Sequence, residues 1–385
     1  MRAREAGIRI GLLEPGPLDA ITDVPGVRVG HETLISGDGP LVVGSGPVRT
    51  GVTVILPRPE HAWDAPLFAG CHTLNGAGEM TGLEWLRESG TLNGPIAITN
   101  THSVGVVRDA LIAYEAEARA AGGGNGHWWS LPVVAETYDG VLNDVNGMHV
   151  RAEHVQRALA AAASGPVAEG NVGGGTGMTC FGFKGGIGTA SRVVGHAAGG
   201  FTVGALVQAN YGRRERLRID GVPVGEEIPT SEVPRPGAAP AGPAVPPPGA
   251  GSIIVVLATD APLLPHQCDR LARRAGLGVA RTGGGDGNTS GDIFLAFATG
   301  NAALPPEHGS GISLKARVEM LPNVYLSALL AAAIEATEAA IVNALLAAET
   351  MVGRDGIVAH RLDHARLLDV LARYGRGPDG RPGHL

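Results

Sequence analysis

Residues 228–259 read IPTSEVPRPGAAPAGPAVPPPGAGSIIVVLAT, and two unlike segments meet within them at Ser252. The first, 228–251, is rich in proline, glycine and alanine. It predicts an exposed linker or long loop, because proline lacks an N–H and glycine weakens helices and strands. The second, 252–259, is a continuous apolar run with β-branched residues, which predicts a strand buried on both faces of a layered sheet. The chain therefore passes directly from an accessible segment into a core strand that begins with serine.

Cleavage at this junction would produce an N-terminal serine that could act as a nucleophile. If the bond between Gly251 and Ser252 were cut, Ser252 would carry a hydroxyl and a free α-amine. An α-amine has a pKa of about 7.7–8.0, so its neutral form can act as a base next to the hydroxyl. Gly251 has no Cβ and allows the close approach that an acyl shift from nitrogen to oxygen requires. A glycine–serine pair also follows many ordinary linkers, so the junction alone leaves both interpretations open.

The rest of the chain predicts strands and helices in irregular alternation. Strands are predicted at 51–56, 96–100, 131–137, 201–209 and 292–299, and helices at 82–87, 104–121, 149–164 and 262–275, with two more within 324–351. Several of the strands are apolar on both faces. This pattern favours a layered α/β or α+β architecture with the helices outside.

Composition excludes several classes of protein. The chain has 385 residues, 44% of them hydrophobic and 17% charged, which is ample for a sizeable core. Its formal net charge is −7, and its local basic cluster, Arg213–Arg216, is interrupted by Glu215, so we expect no nucleic-acid partner. Three widely spaced cysteines, with no CxxC or HExxH motif, predict neither a disulfide framework nor a metal site. Residues 173–177, GGGTG, lack the Lys-Ser/Thr of a phosphate-binding loop, so no cofactor is expected.

The chain also shows no signal for a membrane or for export. The N-terminal residues MRAREAGIRIGLLEPG have no apolar core of a signal peptide. The longest apolar run, Leu326 to Ile334, is too short to cross a bilayer and is followed by Glu335 and Glu338. A cytoplasmic protein is therefore expected.

Polar residues at strand ends are the remaining candidates for chemistry. Ser290 and Asp292 lie two apart, so in an extended chain they share a face, and a carboxylate beside a hydroxyl can handle a proton. Glu136 and Tyr138 share a face in the same way and offer a carboxylate for a cation and a phenol as donor. Asn210 ends a strand with an amide that could stabilise an oxyanion. Turn caps and ordinary surface strand ends explain the same residues.

Six stretches, taken together, resemble a known family. They are residues 20–30 (AITDVPGVRVG), 74–82 (LNGAGEMTG), 99–105 (TNTHSVG), 169–178 (EGNVGGGTGM), 251–262 (GSIIVVLATDAP) and 290–297 (SGDIFLAF). In this order, and over nearly the whole chain, they resemble the DmpA-type family of L-aminopeptidase/D-esterases and β-peptidyl aminopeptidases.

The resemblance implies a fold and a maturation step. Members fold as an αββα four-layer sandwich, of the type shared with ornithine acetyltransferase, and cut themselves before a serine. Carried over, the cut falls between Gly251 and Ser252. It gives an α chain, 1–251, whose tail is 228–251, and a β chain, 252–385, which together form one structural domain. The resemblance also implies a homo-oligomer, usually a tetramer of αβ units.

The resemblance further implies a role for each candidate residue. Ser252 matches the nucleophile of self-cleavage and hydrolysis, Tyr138 and Asn210 the oxyanion-stabilising pair, Ser290 the second serine of the proton-handling pair, and Glu136 the anchor of the substrate's amino group. Asp292 stands where some members have glutamate, one methylene longer. The proton acceptor is either Asp292 with Ser290 or the α-amine of Ser252.

The expected activity is hydrolysis of short peptides, amides or esters with a free amino terminus, through an acyl ester on Ser252. The sequence does not choose among α-L-, D- and β-aminoacyl substrates. One alternative is an ornithine acetyltransferase-like acyltransferase, although those enzymes use a threonine nucleophile. Another is a self-cleaving assembly protein without catalytic activity.

Overall fold

The computed structural model describes residues 1–59, 61–121, 128–195, 197, 199–237, 251–306 and 312–377. Most of the predicted linker, residues 238–250, lies outside the described residues. The strands are β1 Arg28–Ser36, β2 Val48–Leu56, β3 Leu67–Gly76, β4 Thr91–Leu92, β5 Ile96–Asn100, β6 Val133–Thr137, β7 Thr179–Cys180, β8 Phe183–Lys184, β9 Gly186–Val193, β10 Thr202–Asn210, β11 Ser252–Thr259, β12 Gly291–Ala298, β13 Met351–Val352 and β14 Val358–Ala359. The α-helices are α1 Leu83–Ser89, α2 Val104–Ala121, α3 Ala152–Ala160, α4 Val224–Glu227, α5 Pro265–Arg281, α6 Leu326–Ala347 and α7 His364–Arg373.

Two sheets form the centre of the molecule. One has the strand order β1-β2-β5-β6, and the other has the order β4-β3-β12-β11-β10-β9. The pairs β5–β6 and β11–β12 are parallel, and the remaining neighbours are antiparallel. Two short hairpins, β7–β8 and β13–β14, flank them.

The two sheets pack face to face, with helices on both outer sides. Between them lies an apolar layer in which Ile98 of the smaller sheet meets Leu206, Ile254 and Ile293 of the larger one. The outer face of the larger sheet packs on α5 and α6, and that of the smaller sheet packs on α2 and α3. The predicted αββα four-layer sandwich is therefore confirmed.

The C-terminal helix differs from the prediction. The prediction of two helices within 324–351 is wrong, because α6 runs unbroken through a sequence that contains neither glycine nor proline. Glu335 and Glu338 lie inside it and are nearly buried, paired with Arg192 at 3.7 Å and Arg281 at 3.2 Å. The prediction that this apolar run is too short to cross a bilayer is wrong by length and composition, because the helical segment Asn323–Ala347 continues past Glu335 and Glu338; 89% of its most apolar window is buried inside the protein.

The larger sheet brings three strand ends together. Asn210, the last residue of β10, pairs with Ser252, the first of β11, and Ser252 pairs with Gly291, the first of β12. The sheet thus interleaves strands from both sides of the Gly251–Ser252 junction. The end of β6, in the smaller sheet, lies opposite these residues and supplies Glu136 and Tyr138 to the same cavity.

Candidate active site

Ser252 lines a cavity of about 930 Å³ at this edge of the sandwich. Its side chain is nearly buried, and its Oγ accepts a hydrogen bond from the Gly291 amide at 3.1 Å. Side chains alternate along a strand, so Ser252 faces the same side of the sheet as Ile254, toward the smaller sheet. The hydroxyl therefore points into the space between the two sheets.

The carbonyl before Ser252 is held by the same group. The Gly291 amide also lies 3.3 Å from the Gly251 carbonyl oxygen, so one N–H reaches both the hydroxyl and the carbonyl of the junction. A Cβ on residue 251 would come 2.1 Å from the Asn210 carbonyl oxygen, so only glycine fits there. The absence of a side chain thus permits a close contact that fixes the carbonyl beside the hydroxyl.

Asn210 and Tyr138 form a linked pair next to Ser252. Asn210 Oδ1 accepts the Thr179 amide at 2.8 Å, and Nδ2 donates to the Tyr138 carbonyl at 2.9 Å, which fixes the orientation of the side-chain amide. One N–H of Nδ2 is left for a ligand. The Tyr138 hydroxyl lies over Gly140, and burial raises the pKa of the phenol, so it stays protonated and able to donate.

Glu136 provides a buried carboxylate on the opposite wall of the cavity. Its Oε1 accepts the Glu79 amide at 3.0 Å, and its Oε2 accepts a short hydrogen bond from the Thr101 hydroxyl. Burial raises its pKa, although the bonds from Thr101 and Glu79 oppose that shift. Among the described residues no arginine or lysine pairs with this buried carboxylate, so it is well suited to bind an ammonium group.

Ser290 and Asp292 form a second pair, and their predicted shared face is confirmed. Ser290 Oγ donates to Asp292 Oδ1 at 2.6 Å, so the shorter aspartate reaches the serine. Asp292 Oδ1 also accepts the Ile253 amide at 3.2 Å, and burial raises the pKa of the carboxyl. Asp292 faces the helix side of the sheet with Phe294, whereas Ser252 faces the other sheet. The bond to Ile253 therefore connects this pair to the strand of Ser252 through the backbone.

The structure thus brings most of the predicted residues into one place. The cavity is lined, among others, by Glu136, Tyr138, Asn210, Gly251 and Ser252. Ser290 and Asp292 are not among its lining residues and lie beside it, at the start of β12.

Sequence reasoning missed four groups that hold these residues. They are Asn75, whose Nδ2 donates to Asp292 Oδ2 at 2.6 Å; the hydroxyl of Thr101; the amide of Gly291; and Arg354, whose Nε donates to the Gly140 carbonyl at 2.7 Å. Asn75 and Thr101 lie in stretches that carry the family resemblance, which was the available signal. The Gly291 amide and Arg354 act through the backbone, which a side-chain pattern does not reveal.

The family model for peptidase family S58 matches residues 19–359. The chain is 53% identical over 378 residues to β-peptidyl aminopeptidase BapA of Sphingosinicella microcystinivorans, which covers 97% of this chain and 93% of the relative. It is 46% identical over 382 residues to the BapA protein of Sphingosinicella xenopeptidilytica, which covers 97% and 92%.

Solved structures agree with these sequence matches. A β-aminopeptidase of a Burkholderia species superposes with a TM-score of 0.89 at 58% identity and covers 99% of this chain and 100% of that one. The L-aminopeptidase D-Ala-esterase/amidase of Ochrobactrum anthropi, described as a prototype of the serine aminopeptidases and a variant of the Ntn hydrolase fold, gives 0.86 at 46% identity and covers 97% and 99%. The chain therefore belongs to peptidase family S58, and it is an aminopeptidase of the N-terminal nucleophile type.

Proposed function

We propose that the chain cuts itself between Gly251 and Ser252 and that the new N-terminal serine is the nucleophile of the aminopeptidase. The observation that carries this is the Gly291 amide, which lies 3.1 Å from the Ser252 hydroxyl and 3.3 Å from the Gly251 carbonyl oxygen. The donor withdraws electrons from the carbonyl while it holds the hydroxyl next to it.

The cleavage is an acyl shift followed by hydrolysis. Ser252 Oγ bonds to the Gly251 carbonyl carbon, its proton passes to the Ser252 nitrogen, and the carbon–nitrogen bond breaks to leave an ester. Water then hydrolyses the ester, which yields the Gly251 carboxylate, the Ser252 hydroxyl and a free α-amine. The α chain, 1–251, and the β chain, 252–385, remain one domain, because β11 and β12 lie between β10 and β3 in the same sheet.

Substrate hydrolysis uses the same serine. Ser252 Oγ attacks the carbonyl of the aminoacyl group, and its proton passes either to its own α-amine or to the Ser290–Asp292 pair. Asn210 Nδ2 and the Tyr138 hydroxyl donate to the oxyanion that forms, and Glu136 binds the free ammonium of the substrate. The leaving amine takes up the proton, and water then releases the acyl group from the serine.

The substrates are short peptides, amides or esters with a free amino terminus, and β-aminoacyl compounds are among them. Support for the β class comes from the names of two similar proteins, a β-peptidyl aminopeptidase at 53% identity and a β-aminopeptidase at 58%.

The protein is further proposed to work in the cytoplasm as a tetramer of αβ units. The three cysteines, Cys71, Cys180 and Cys268, are buried and free, in keeping with a reducing compartment. Exposed apolar side chains, among them Ile35, Val42, Val43 and Val352, offer surface for contacts between copies.

The test combines mass, N-terminal sequence and turnover of the wild type and Ser252→Ala. We expect two fragments in the wild type, the smaller beginning Ser-Ile-Ile-Val, and release of p-nitroaniline from β-alanyl and L-alanyl p-nitroanilides. Ser252→Ala should stay at full length and be inactive. A wild type that remains intact and yet hydrolyses these substrates would contradict the proposed nucleophile.

A further inference from the structure

The cavity has a cationic end that the mechanism above does not use. Arg213, Arg214 and Arg235 line it beyond the end of β10, with one acidic side chain, Glu215, beside them. Glu215 is exposed. This is the basic cluster that is too small for nucleic acid, together with Arg235 from the following loop.

The neighbours of Arg213 are engaged in structural contacts. Arg214 is buried over the ring of Phe183, and its guanidinium donates to backbone carbonyls, including those of Ile228 and Val233, which holds the loop at the cavity wall. Arg216 pairs with Asp286 at 3.2 Å, and Arg218 pairs with Glu226 at 2.7 Å.

Arg213 differs from these neighbours. Its Nε is buried and has no hydrogen-bond partner in the described part of the chain. Arg235 likewise makes no ion pair with any residue that the structure describes. Residues 238–250, AAPAGPAVPPPGA, contain no acidic side chain that could pair with either arginine. A half-buried guanidinium with an unmet donor favours an anionic ligand, and its planar fork fits a carboxylate.

The two charged ends lie on different sides of Ser252. Glu136 Oε1 accepts the Glu79 amide, and a Cβ on the preceding Gly78 would lie 3.2 Å from that oxygen and 2.9 Å from the Cα of Gly291, the first residue of β12. On the other side, Arg213 follows three residues after Asn210 at the end of β10. The ends of β10, β11 and β12 span two strand spacings, roughly 10 Å, and an extended dipeptide is about 7 Å long. A glutamate on one side and an arginine on the other are therefore long enough to contact the two ends of a dipeptide that lies over Ser252.

We propose that Arg213, assisted by Arg235, binds the C-terminal carboxylate of the leaving amino acid. The preferred substrates are then dipeptides, whose ammonium lies at Glu136, whose scissile carbonyl lies at Ser252 and whose carboxylate lies at Arg213. In longer peptides the carboxylate is carried past this position. This inference rests on the proposed function, because it assumes that Ser252 is the attacking group.

The test compares two substrates that differ only in this charge: β-alanylglycine and β-alanylglycinamide. We expect the wild type to prefer the free acid in kcat/KM by about tenfold or more, as for a hydrogen bond between charged groups. Arg213→Gln should lower kcat/KM for the acid about 10- to 100-fold and leave the amide unchanged, and Arg213→Lys should restore part of the loss. Arg216→Gln, an exposed arginine of the same turn, is the matched control and should change neither substrate.

Each variant is first checked by mass for complete cleavage at Ser252, so that a processing defect is not mistaken for weak binding. Equal loss on the acid and the amide, no loss on either, or loss only in Arg235→Gln would overturn the assignment of Arg213. A wild type that prefers the amide would overturn the carboxylate subsite while the aminopeptidase mechanism stands. A fully cleaved enzyme that hydrolyses neither substrate nor any aminoacyl p-nitroanilide would overturn the proposed function, and the inference with it.

Discussion

The role of Glu136 can be separated from every other step by one substitution, Glu136→Gln. Glutamine has the same shape, its Oε1 can still accept the Glu79 amide, and its Nε2 can donate to the Thr101 hydroxyl that now donates to the carboxylate. The local hydrogen bonds are therefore retained and only the charge is lost. Self-cleavage should proceed as in the wild type, because the substrate ammonium that Glu136 is proposed to bind takes no part in it.

The expected loss follows from the buried position of this carboxylate. A hydrogen bond between charged groups contributes about 1.5–3 kcal/mol, which corresponds to roughly 10- to 150-fold in kcat/KM. The assay uses β-alanyl p-nitroanilide and propionyl p-nitroanilide, which differ only in the amino group. In Glu136→Gln, kcat/KM should fall by this factor for β-alanyl p-nitroanilide and stay unchanged for propionyl p-nitroanilide. In the wild type, kcat/KM should be higher for β-alanyl p-nitroanilide than for propionyl p-nitroanilide by a similar factor.

The control is Glu115→Gln, a similarly buried glutamate on α2 that contacts His61 and lies outside the cavity. It should process and hydrolyse as the wild type does. Equal losses on both substrates in Glu136→Gln would mean that the residue shapes the site and does not bind the amine. A variant that no longer cuts itself would refute the separation of the two reactions.

Three further predictions concern pH and packing. Burial raises the pKa of Glu136 above its ordinary value of 4.5. As the pH is lowered, kcat/KM for an aminoacyl substrate should therefore begin to fall while the pH is still above 4.5, and kcat/KM for propionyl p-nitroanilide should not show this fall. Gly140→Ala should lower kcat by up to about 10²–10³, since a Cβ there would lie 2.3 Å from the Tyr138 hydroxyl and displace one oxyanion donor; unchanged kcat would exclude Tyr138 from that role. Lys184 is fully buried, and burial lowers its pKa to about 7 from 10.5, so the unfolded chain binds more protons between these values and stability should rise with pH there. Urea unfolding of the uncut Ser252→Ala chain should show this rise, and the further change Lys184→Met should flatten it.

Much of the fold was predictable in segments where the spacing of apolar residues clearly matches a strand or a helix. The strand 252–259, the strand 96–100 and the helix 104–121 have the bounds that the sequence predicts. Both strands are mostly apolar and are buried along their whole length, and the helix buries one stripe of residues. These signals are local, and the tertiary structure does not override them.

The strands that were not predicted from the sequence contain residues that are needed for tertiary contacts. β9 reads GIGTASRV, and a Cβ on Gly188 would lie 2.0 Å from the Ala340 carbonyl of α6, so glycine is needed for the helix to approach the sheet. Glycine has a low strand propensity, so the residue that this close contact requires weakens the strand pattern in the sequence. β1 and β3 also carry polar or glycine residues that weaken their pattern.

The same limit applies to the candidate site. The local pair Ser290 and Asp292 was predictable from spacing, since two residues in one extended segment determine it. The bond from Asn75 to Asp292 spans 217 residues, and it exists because β3 pairs with β12. Arg213 has an unmet donor because the neighbouring arginines, Arg214, Arg216 and Arg218, are the ones that bind the nearby carbonyls and carboxylates. The sequence does not indicate which arginine of the cluster is left without such a partner.

The Gly291 amide shows why one strand junction could serve both reactions. In the uncut chain its N–H is shared by the Ser252 hydroxyl and the Gly251 carbonyl. The proposed cleavage separates Gly251 from Ser252 and leaves a carboxylate that is free to move away. The pairing of β11 with β12 runs from Ser252 opposite Gly291 to Thr259 opposite Ala298, so it would persist after the contact with the Gly251 carbonyl is lost. The mature serine would then keep its donor, while the space that the Gly251 carbonyl occupied, next to Asn210, becomes the place for the carbonyl of a substrate.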